Sequence, residues 1–302
     1  MTAARLHVGL PNYGDFLTPR QLLDVAVAAD DAGVDAITVV DHVAMGEDVS
    51  SYPYGDFPGG PTSPWLEPLT TLAAIAGRTS RVRLATGILI APLRSPALLA
   101  KTAATLDVLS EGRLSLGVAT GWQAKEFEAA GLEFAERGAL LDDALAACKA
   151  LWKGGPTNFS SPRLEFDGVY CHPTPVQPDG VPFWIGGRLH ARNLERLMRF
   201  GSGWIPSVDA RRDDVRAGAE RIADALLAAG GDPAELRVRA GLPTVRDNDG
   251  KPQLEPSLAR VPEMLAIGAT DLYVFLPQFC GDPAEAPTVL RALADGFRAN
   301  LA

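Results

Sequence analysis

The stretch LHVGLPNYGDFLTPRQLLDVAVAADDAGVDAITVV, residues 6–40, decides the fold. It opens with a short apolar run at 6–10 and closes with a second one at 36–40, and the segment between them has a helical pattern. Two apolar strands joined by a helix are typical of a parallel βαβ unit, in which the helix crosses over the sheet. This stretch therefore predicts parallel strands covered by helices.

The helix inside this stretch has recognisable ends. Thr18 is followed by Pro19 in the first turn and by Gln21, which completes a capping box. Apolar residues then recur at helical spacing from 22 to 29 and give the helix one buried face. Gly33 is placed to end the helix in a left-handed conformation, because glycine has no side chain to oppose it.

The alternation of strand and helix continues along the chain. Eight runs are predicted as strands, at 6–10, 36–40, 82–90, 114–119, 183–185, 204–206, 236–242 and 271–276. Further helices are predicted at 66–79, 96–109, 137–152, 191–200, 213–229, 257–267 and 284–300. Strands that are almost entirely apolar are buried on both faces, so we predict an α/β fold, a (β/α)8 TIM barrel, as one domain over residues 1–302. A doubly wound open sheet is the competitor, but the strand count and the missing early glycine fingerprint favour the barrel.

Two insertions interrupt this rhythm. Residues 43–64, after the second strand, are rich in Gly, Pro, Ser and Tyr and are too long for a plain connector. Residues 158–180, after the fourth strand and its helices, contain Asp167–Gly168, which is typical of a hairpin turn. Both insertions are either surface decoration or a lid and a substrate wall. The interpretation as a lid and a substrate wall is considered because barrel loops at strand carboxyl ends build active sites.

The composition excludes several classes of protein. Acidic and basic residues are interleaved and the formal net charge is −9, so a nucleic-acid partner is not expected. No apolar run approaches the ~20 residues that a membrane-spanning helix needs. Three widely spaced cysteines and a strand-like start predict a cytoplasmic protein without a disulfide framework or a targeting peptide. No zinc-type spacing, Walker loop or nucleophile elbow is present, so we expect the chemistry to come from a bound coenzyme.

Candidate site residues follow the predicted strands. Asp41–His42 closes the second strand, and His42 is either a polar group satisfied at the rim or a residue that binds a coenzyme ring or moves a proton. Gly87, inside the third strand, indicates local packing or a bulge that presses against a flat ring. Ala119-Thr120-Gly121-Trp122 ends the fourth strand, and Gly186-Gly187-Arg188 ends the fifth. Small residues and a cation that open a helix suit a phosphate, although a plain turn has the same pattern.

A family resemblance adds to this interpretation. The chain resembles the bacterial luciferase-like monooxygenase family over nearly its whole length. The resemblance rests on residues 79–88, 94–96, 100–101, 104–114, 121–122, 126–127, 175–178, 184–187 and 203–206. It implies a (β/α)8 barrel, usually dimeric, that uses reduced FMN or the deazaflavin coenzyme F420. These segments look most like the F420-dependent branch.

The resemblance also implies roles for individual residues. His42 matches the strand-2 histidine that lies near the flavin in luciferases, and it is the expected catalytic residue. Gly87–Ile88 matches a non-prolyl cis peptide beneath the coenzyme ring. The expected coenzyme-binding residues are His42, Thr86, Gly87, Ile88, Ala119, Thr120, Gly121, Trp122, Gly186, Gly187 and Arg188.

Two positions depart from the family pattern. Ala119 stands where many members have glycine. Trp122 stands near the position at which sugar-phosphate dehydrogenases of the F420 branch carry a catalytic carboxylate, which argues against that substrate class.

Three functions are compatible with the sequence. The favoured one is an F420-dependent oxidoreductase that transfers a hydride to or from a small organic substrate. The second is a two-component FMN monooxygenase that takes reduced flavin from a separate reductase and uses oxygen. The third is a non-catalytic protein that binds the coenzyme. The substrate itself is set by loop geometry, which the sequence pattern does not contain.

Overall fold

The computed structural model describes residues 3–301, and its centre is a closed barrel of eight parallel strands. Around the barrel the strands follow the order β1-β10-β9-β8-β7-β4-β3-β2. They are β1 (Arg5–Gly9), β2 (Ala36–Val39), β3 (Arg83–Ile90), β4 (Leu114–Ala119), β7 (Phe183–Gly186), β8 (Gly201–Ile205), β9 (Arg237–Gly241) and β10 (Asp271–Phe275). Each predicted strand has its counterpart here, so the barrel prediction is confirmed and the open sheet is excluded.

Helices connect successive barrel strands and cover the outside of the barrel. They are α1 (Pro19–Ala32), α2 (Pro68–Ala76), α3 (Pro96–Leu109), α4 (Ala124–Ala129), α5 (Arg137–Leu151), α6 (Ala191–Phe200), α7 (Arg212–Ala228), α8 (Leu254–Leu258), α9 (Val261–Ala266) and α10 (Ala286–Ala299). None of those between residues 3 and 301 combines the length and apolarity that crossing a membrane requires.

Local signals set several helix ends as expected. Thr18 and Gln21 form the reciprocal capping box of α1, and Gly33 ends that helix with φ 75°. The helix expected over 257–267 is instead divided into α8 and α9. Pro262 lies in the first turn of α9, and a proline lacks the N–H that would bond to the carbonyl of Leu258 in one continuous helix. Strand β8 begins at Gly201, three residues before the apolar run that predicted it at 204.

The second insertion forms a two-stranded antiparallel hairpin of β5 (Thr157–Ser160) and β6 (Glu165–Val169). The chain reverses between β5 and β6, so the turn predicted at Asp167–Gly168 was placed wrongly. Those residues lie inside β6, where the N–H of Gly168 donates to the Asn158 side chain across an irregular pairing. Gly168 has a φ of 66°, and the structure places it at an irregular position within β6, not in a turn.

This hairpin lies along α5. β5 packs against that helix, and Arg163 at the turn pairs with Asp143 and with Glu136, which directly precedes the helix. Of the two interpretations that the sequence left open, these contacts favour surface decoration, and the substrate wall stays a prediction.

A buried polar cluster lies inside the barrel near the amino ends of β1, β9 and β10. Asp271, fully buried, receives hydrogen bonds from His7 Nε2 at 3.0 Å and Arg237 Nε at 2.7 Å. Burial lowers the pKa of His7 more than its bond to Asp271 raises it. For Asp271, burial raises the pKa, but the contacts with His7 and Arg237 outweigh that effect and lower it.

This cluster predicts a loss of stability in acid. The pKa of His7 is lower in the folded chain than its ordinary value of 6.5, so below that pH the unfolded chain binds a proton that the folded chain refuses. We expect the free energy of unfolding, measured by urea titration, to fall as the pH drops below about 6.5, by at most about 1.4 kcal/mol per pH unit for this group. The variant His7→Gln should show a shallower slope. His172→Gln, at an exposed position, should keep the wild-type slope. Equal slopes for all three proteins would contradict the assignment.

Candidate active site

The carboxyl ends of β2 and β3 are joined by one buried carboxylate. Asp41, two residues after β2, accepts hydrogen bonds from Ile90 N at 2.8 Å and from Arg94 at 2.7 and 3.0 Å. Arg94 also pairs with Glu67 at 2.7 Å, so its charge is balanced on both sides. Paired N–H donors on a carboxylate give a geometrically specific contact. This contact holds the backbone beside His42 against the end of β3.

Asn12 supplies a second clamp from the end of β1. Its side-chain oxygen accepts the N–H of Val40 at 2.9 Å, and its amide nitrogen donates to the carbonyls of Val40 and Leu66 at 2.8 Å each. Asn12 thereby connects β1, the end of β2 and the end of the long insertion. The backbone that carries His42 out of the barrel is therefore fixed in position by buried polar side chains.

His42 is oriented by Glu126 of α4. The imidazole Nδ1 lies 3.0 Å from Glu126 Oε2, and the other carboxylate oxygen accepts the N–H groups of Val43 at 2.8 Å and Ala44 at 3.3 Å. Glu126 is only 1% exposed. Because the carboxylate accepts hydrogen bonds, Nδ1 carries the proton in a neutral ring and Nε2 keeps a free lone pair. Within residues 3–301, Nε2 forms no hydrogen bond, so it is the atom available to a ligand.

Glu126 belongs to a segment that carries the family resemblance, but no sequence pattern identified it as a site residue. His42 and Glu126 are separated by 84 positions, and an acidic residue in the first turn of a short helix is ordinary. Only the packing of α4 against the end of β2 brings them together.

Removing this carboxylate should destabilise the start of the long insertion. In Glu126→Ala, the N–H groups of Val43 and Ala44 and the His42 ring lose their acceptor. We expect the free energy of unfolding to fall by about 2 kcal/mol. Amide exchange at residues 43 and 44 should also accelerate. Glu128→Ala, two residues away at an exposed position, is the matched control and should stay within about 0.5 kcal/mol of wild type. A similar loss in both variants would argue against a specific role for Glu126.

Strand β3 carries the bulge that was expected at Gly87. Its register with β4 shifts between Thr86 and Leu89, and the peptide between Gly87 and Ile88 is cis. Both residues are partly accessible, whereas their neighbours in the strand are buried. A Cβ on Gly87 would lie 2.4 Å from a Thr38 methyl group and 2.6 Å from Arg239 Nη2, so only glycine fits. The bulge therefore presents a flat patch of backbone at the mouth.

Arg239 lies directly behind this peptide, and no sequence pattern identified it. It is 4% exposed, and its guanidinium lies 3.3 Å from Thr38 Oγ1 and 3.5 Å from the carbonyl of Thr86. Among residues 3–301 it has no carboxylate within 4.0 Å. Burial lowers its pKa to about 10. A buried cation without a paired anion is costly, which marks Arg239 as unusual in this core.

The glycines that end β4 and β7 converge on the same end of the barrel. A Cβ on Gly186 would lie 2.7 Å from Ile88, and one on Gly121 would lie 2.7 Å from Ile90. Small residues at these ends let the three strands approach closely. A cavity of about 280 Å³ lies beside them and is lined by Ala119, Thr120, Gly186, Arg137, Arg192 and Arg196, among others. Asp142 pairs with Arg192 and Arg196.

Three of the expected coenzyme contacts are occupied by the protein itself. The hydroxyl of Thr86 is buried and donates to the carbonyl of Gly117 at 2.8 Å. The N–H of Gly187 donates to the carbonyl of Ile205, so it is not free for a phosphate. Arg188 is exposed at the rim and pairs with Asp209 at 2.5 Å.

The first insertion covers His42 with aromatic rings. The ring centroids of Phe57 and Trp65 lie 5.3 and 4.6 Å from the centroid of the imidazole. The ring of Trp122, which follows the end of β4, has its centroid 5.8 Å from that of the imidazole. Tyr52 completes the group at 5.2 Å from Trp122. We call these five residues the aromatic cluster. The insertion therefore lies over the mouth, where a lid was expected.

Comparison with known proteins identifies the family. The model of the luciferase-like monooxygenase family matches residues 1–253, and the chain belongs to this family. An uncharacterised protein of Mycobacterium tuberculosis is 33% identical over 221 residues, which cover 73% of this chain and 73% of that protein. An F420-dependent glucose-6-phosphate dehydrogenase of Gordonia bronchialis is 32% identical over 209 residues, which cover 67% of this chain and 57% of that enzyme.

Solved structures agree with the fold. The monooxygenase RslO1 from Streptomyces bottropensis has a TM-score of 0.81 at 20% identity and covers 99% of this chain and 100% of its own. The coenzyme F420-dependent tetrahydromethanopterin reductase from Methanopyrus kandleri has a TM-score of 0.75 at 16% identity, with full coverage of both chains. At these identities the likeness shows the barrel alone.

Proposed function

We propose that the protein is a coenzyme F420-dependent oxidoreductase that transfers a hydride between the deazaflavin and a small organic substrate. The observation that carries the proposal is the partly accessible Gly87–Ile88 peptide at the end of β3. His42 follows β2 at the same end of the barrel. The relative from Gordonia bronchialis, named as F420-dependent, supports the choice of coenzyme.

The described residues fit a flat ring with an anionic tail. The ring would rest against Gly87–Ile88, the partly accessible pair of residues between buried neighbours of β3. The phosphate would enter the cavity beside Thr120 and Gly186, where arginines supply positive charge. When bound, F420 supplies a ring carbon that accepts or donates a hydride. Arg239, behind the peptide, favours any negative charge that develops on the bound ring.

His42 would handle the proton that accompanies the hydride. Glu126 holds the Nδ1 proton, so Nε2 is the atom that takes a proton from a substrate hydroxyl or returns one to a carbonyl. The aromatic cluster excludes water around that atom. The chain thus orients the reacting groups and supplies the proton site.

A two-component FMN monooxygenase is the second candidate. Its supporting observation is the match of residues 1–253 to the luciferase-like monooxygenase family. A non-catalytic coenzyme-binding protein is the third candidate. The homodimer and, for the FMN candidate, a separate reductase stay predictions from the resemblance, and the cytoplasmic location stays a prediction from the sequence.

Titration of the purified protein with F420 and with FMN separates these candidates. We expect F420 binding at micromolar concentrations, measured by quenching of coenzyme fluorescence, and weaker binding of FMN. Reduction or oxidation of bound F420 in the presence of candidate substrates should proceed equally with and without oxygen. Turnover that needs reduced FMN and oxygen would favour the monooxygenase. Absence of F420 binding at micromolar concentrations would sink the proposal.

His42→Asn separates an enzyme from a binding protein. Asparagine keeps a polar side chain but removes the imidazole that carries the proton. Coenzyme affinity should therefore remain within about threefold of wild type, while turnover should fall at least about a hundredfold. Turnover unchanged by this substitution would contradict the role given to His42.

Arg239 gives a test that does not depend on turnover. In Arg239→Met, a buried unpaired charge is replaced by an apolar side chain, so the free energy of unfolding should stay equal or rise. Coenzyme affinity should fall about tenfold because the positive charge behind the ring is lost. Arg239→Lys should retain most of that affinity.

Arg237→Met is the matched control on the same strand. Arg237 pairs with Asp271 at 2.7 Å, so its removal leaves a buried carboxylate short of a partner. Stability should fall by about 3 kcal/mol, and the affinity of the folded protein for coenzyme should stay unchanged. Equal effects of the two substitutions on affinity would show that Arg239 acts only through general stability.

A further inference from the structure

Phe57 occupies the centre of the aromatic cluster. Its ring lies 5.3 Å from His42, 5.8 Å from Trp65, 5.4 Å from Trp122 and 5.2 Å from Tyr52. These separations are typical of packed aromatic pairs. Phe57 comes from the inserted loop and not from a barrel strand, so one side chain of a surface segment fills the space in front of the candidate catalytic histidine.

The surroundings of Phe57 contain hydrogen-bond donors that it cannot use. The indole N–H groups of Trp65 and Trp122 are buried, and within residues 3–301 neither has a partner. A buried donor without an acceptor costs about 1–3 kcal/mol, and a phenyl ring has no oxygen to offer. An occupant that carries an oxygen acceptor would give such a donor the partner that Phe57 does not offer.

The cluster holds no permanently charged side chain, and its one imidazole, His42, already faces the carboxylate of Glu126. None of its five members is a lysine or an arginine. Glu126 below His42 is already engaged by three donors, and Arg94 is engaged by Asp41 and Glu67. Because burying an unpaired charge is costly, an uncharged molecule fits this space better than an anion or a cation.

The chain around Phe57 has hinge-like residues on both sides. Gly55 has φ 103° and Gly59 has φ 90°, a region that favours glycine, and they stand two residues before and two residues after Phe57. Among residues 3–301, no atom beyond Gly55 and its two chain neighbours lies within 4 Å of a Cβ built on Gly55. A few loop residues of this kind absorb the backbone change when a lid opens.

We propose that Phe57 stands in for the substrate, and that the site takes an uncharged molecule with a carbon ring and an oxygen that accepts hydrogen bonds. On entry this molecule displaces Phe57, and its oxygen accepts a hydrogen bond from the indole N–H of Trp65 or Trp122 in front of His42. The assignment rests on the proposed function, because it takes His42 to be the reacting end of the pocket. It also separates this chain from the relative that is named for a sugar phosphate, since an anionic phosphate has no partner among these rings.

The test uses the full chain without coenzyme and three probes that share one ring. Cyclohexanone has the oxygen, methylcyclohexane lacks it, and cyclohexanecarboxylate adds a charge. Binding is measured by calorimetry and by tryptophan fluorescence. In Phe57→Ala, the ring no longer has to be displaced, so cyclohexanone should bind at least about tenfold more tightly than to wild type. Methylcyclohexane should bind less tightly than cyclohexanone, and cyclohexanecarboxylate should bind weakest.

Three further variants keep the test decisive. Phe159→Ala removes an aromatic ring from the outer hairpin, where it stacks on Phe166 at 5.5 Å, and should give no gain for any probe. Phe57→Leu, which removes less volume, should give an intermediate gain and guards against misfolding of the alanine variant. Adding Trp122→Phe to Phe57→Ala removes one indole N–H and should reduce the preference for cyclohexanone over methylcyclohexane.

Two outcomes would overturn the inference. One is equal affinity of wild type and both Phe57 variants for cyclohexanone. The other is tighter binding of the carboxylate than of the ketone. Since no coenzyme is present, these outcomes are independent of F420 binding. A failed coenzyme titration and a failed ring-binding test can therefore be told apart.

Discussion

The carboxylate of Asp41 is the contact on which the mouth of the barrel depends. It binds the N–H of Ile90 beyond the bulge in β3 and the guanidinium of Arg94, while its own backbone leads directly into His42. The Asp41 carboxylate therefore fixes the position of His42 relative to the bulged Gly87–Ile88 peptide. Loops at strand ends are mobile by default, and a site built on them needs such anchors to keep its geometry.

The barrel interior shows two different treatments of buried charge. Arg237, near the amino ends of the strands, is neutralised by Asp271 in a cluster that stabilises the fold. Arg239, two residues later on the same strand, lies behind the Gly87 peptide beside two neutral oxygens and the Tyr273 ring, and no carboxylate among residues 3–301 lies within 4.0 Å of it. Proteins break local rules of stability mainly where function requires it. The contrast between these arginines supports the proposed site beside the Gly87 peptide without reference to any relative.

The family and the substrate are decided at different levels of the structure. The barrel and its glycine-rich strand ends are shared with proteins named for F420 and with proteins named as monooxygenases. Two members of the aromatic cluster, Tyr52 and Phe57, come from the insertion after β2, a segment outside the repeating barrel pattern. Such loops vary while the scaffold stays constant, which is why the same fold supports many substrates. The proposed substrate preference therefore depends on Phe57 and Trp122 more than on the barrel strands.

Periodicity and local chemistry in the sequence were sufficient for the barrel, the capped ends of α1, the Gly87 bulge and the place of His42. These features depend on residues close together in the chain or on repeated strand–helix units. Only the tertiary structure decided that Glu126 orients His42 across 84 positions, that Arg239 backs the Gly87 peptide and that Phe57 fills the mouth. Contacts between distant segments depend on how helices and loops pack around the barrel, and no local pattern records that packing.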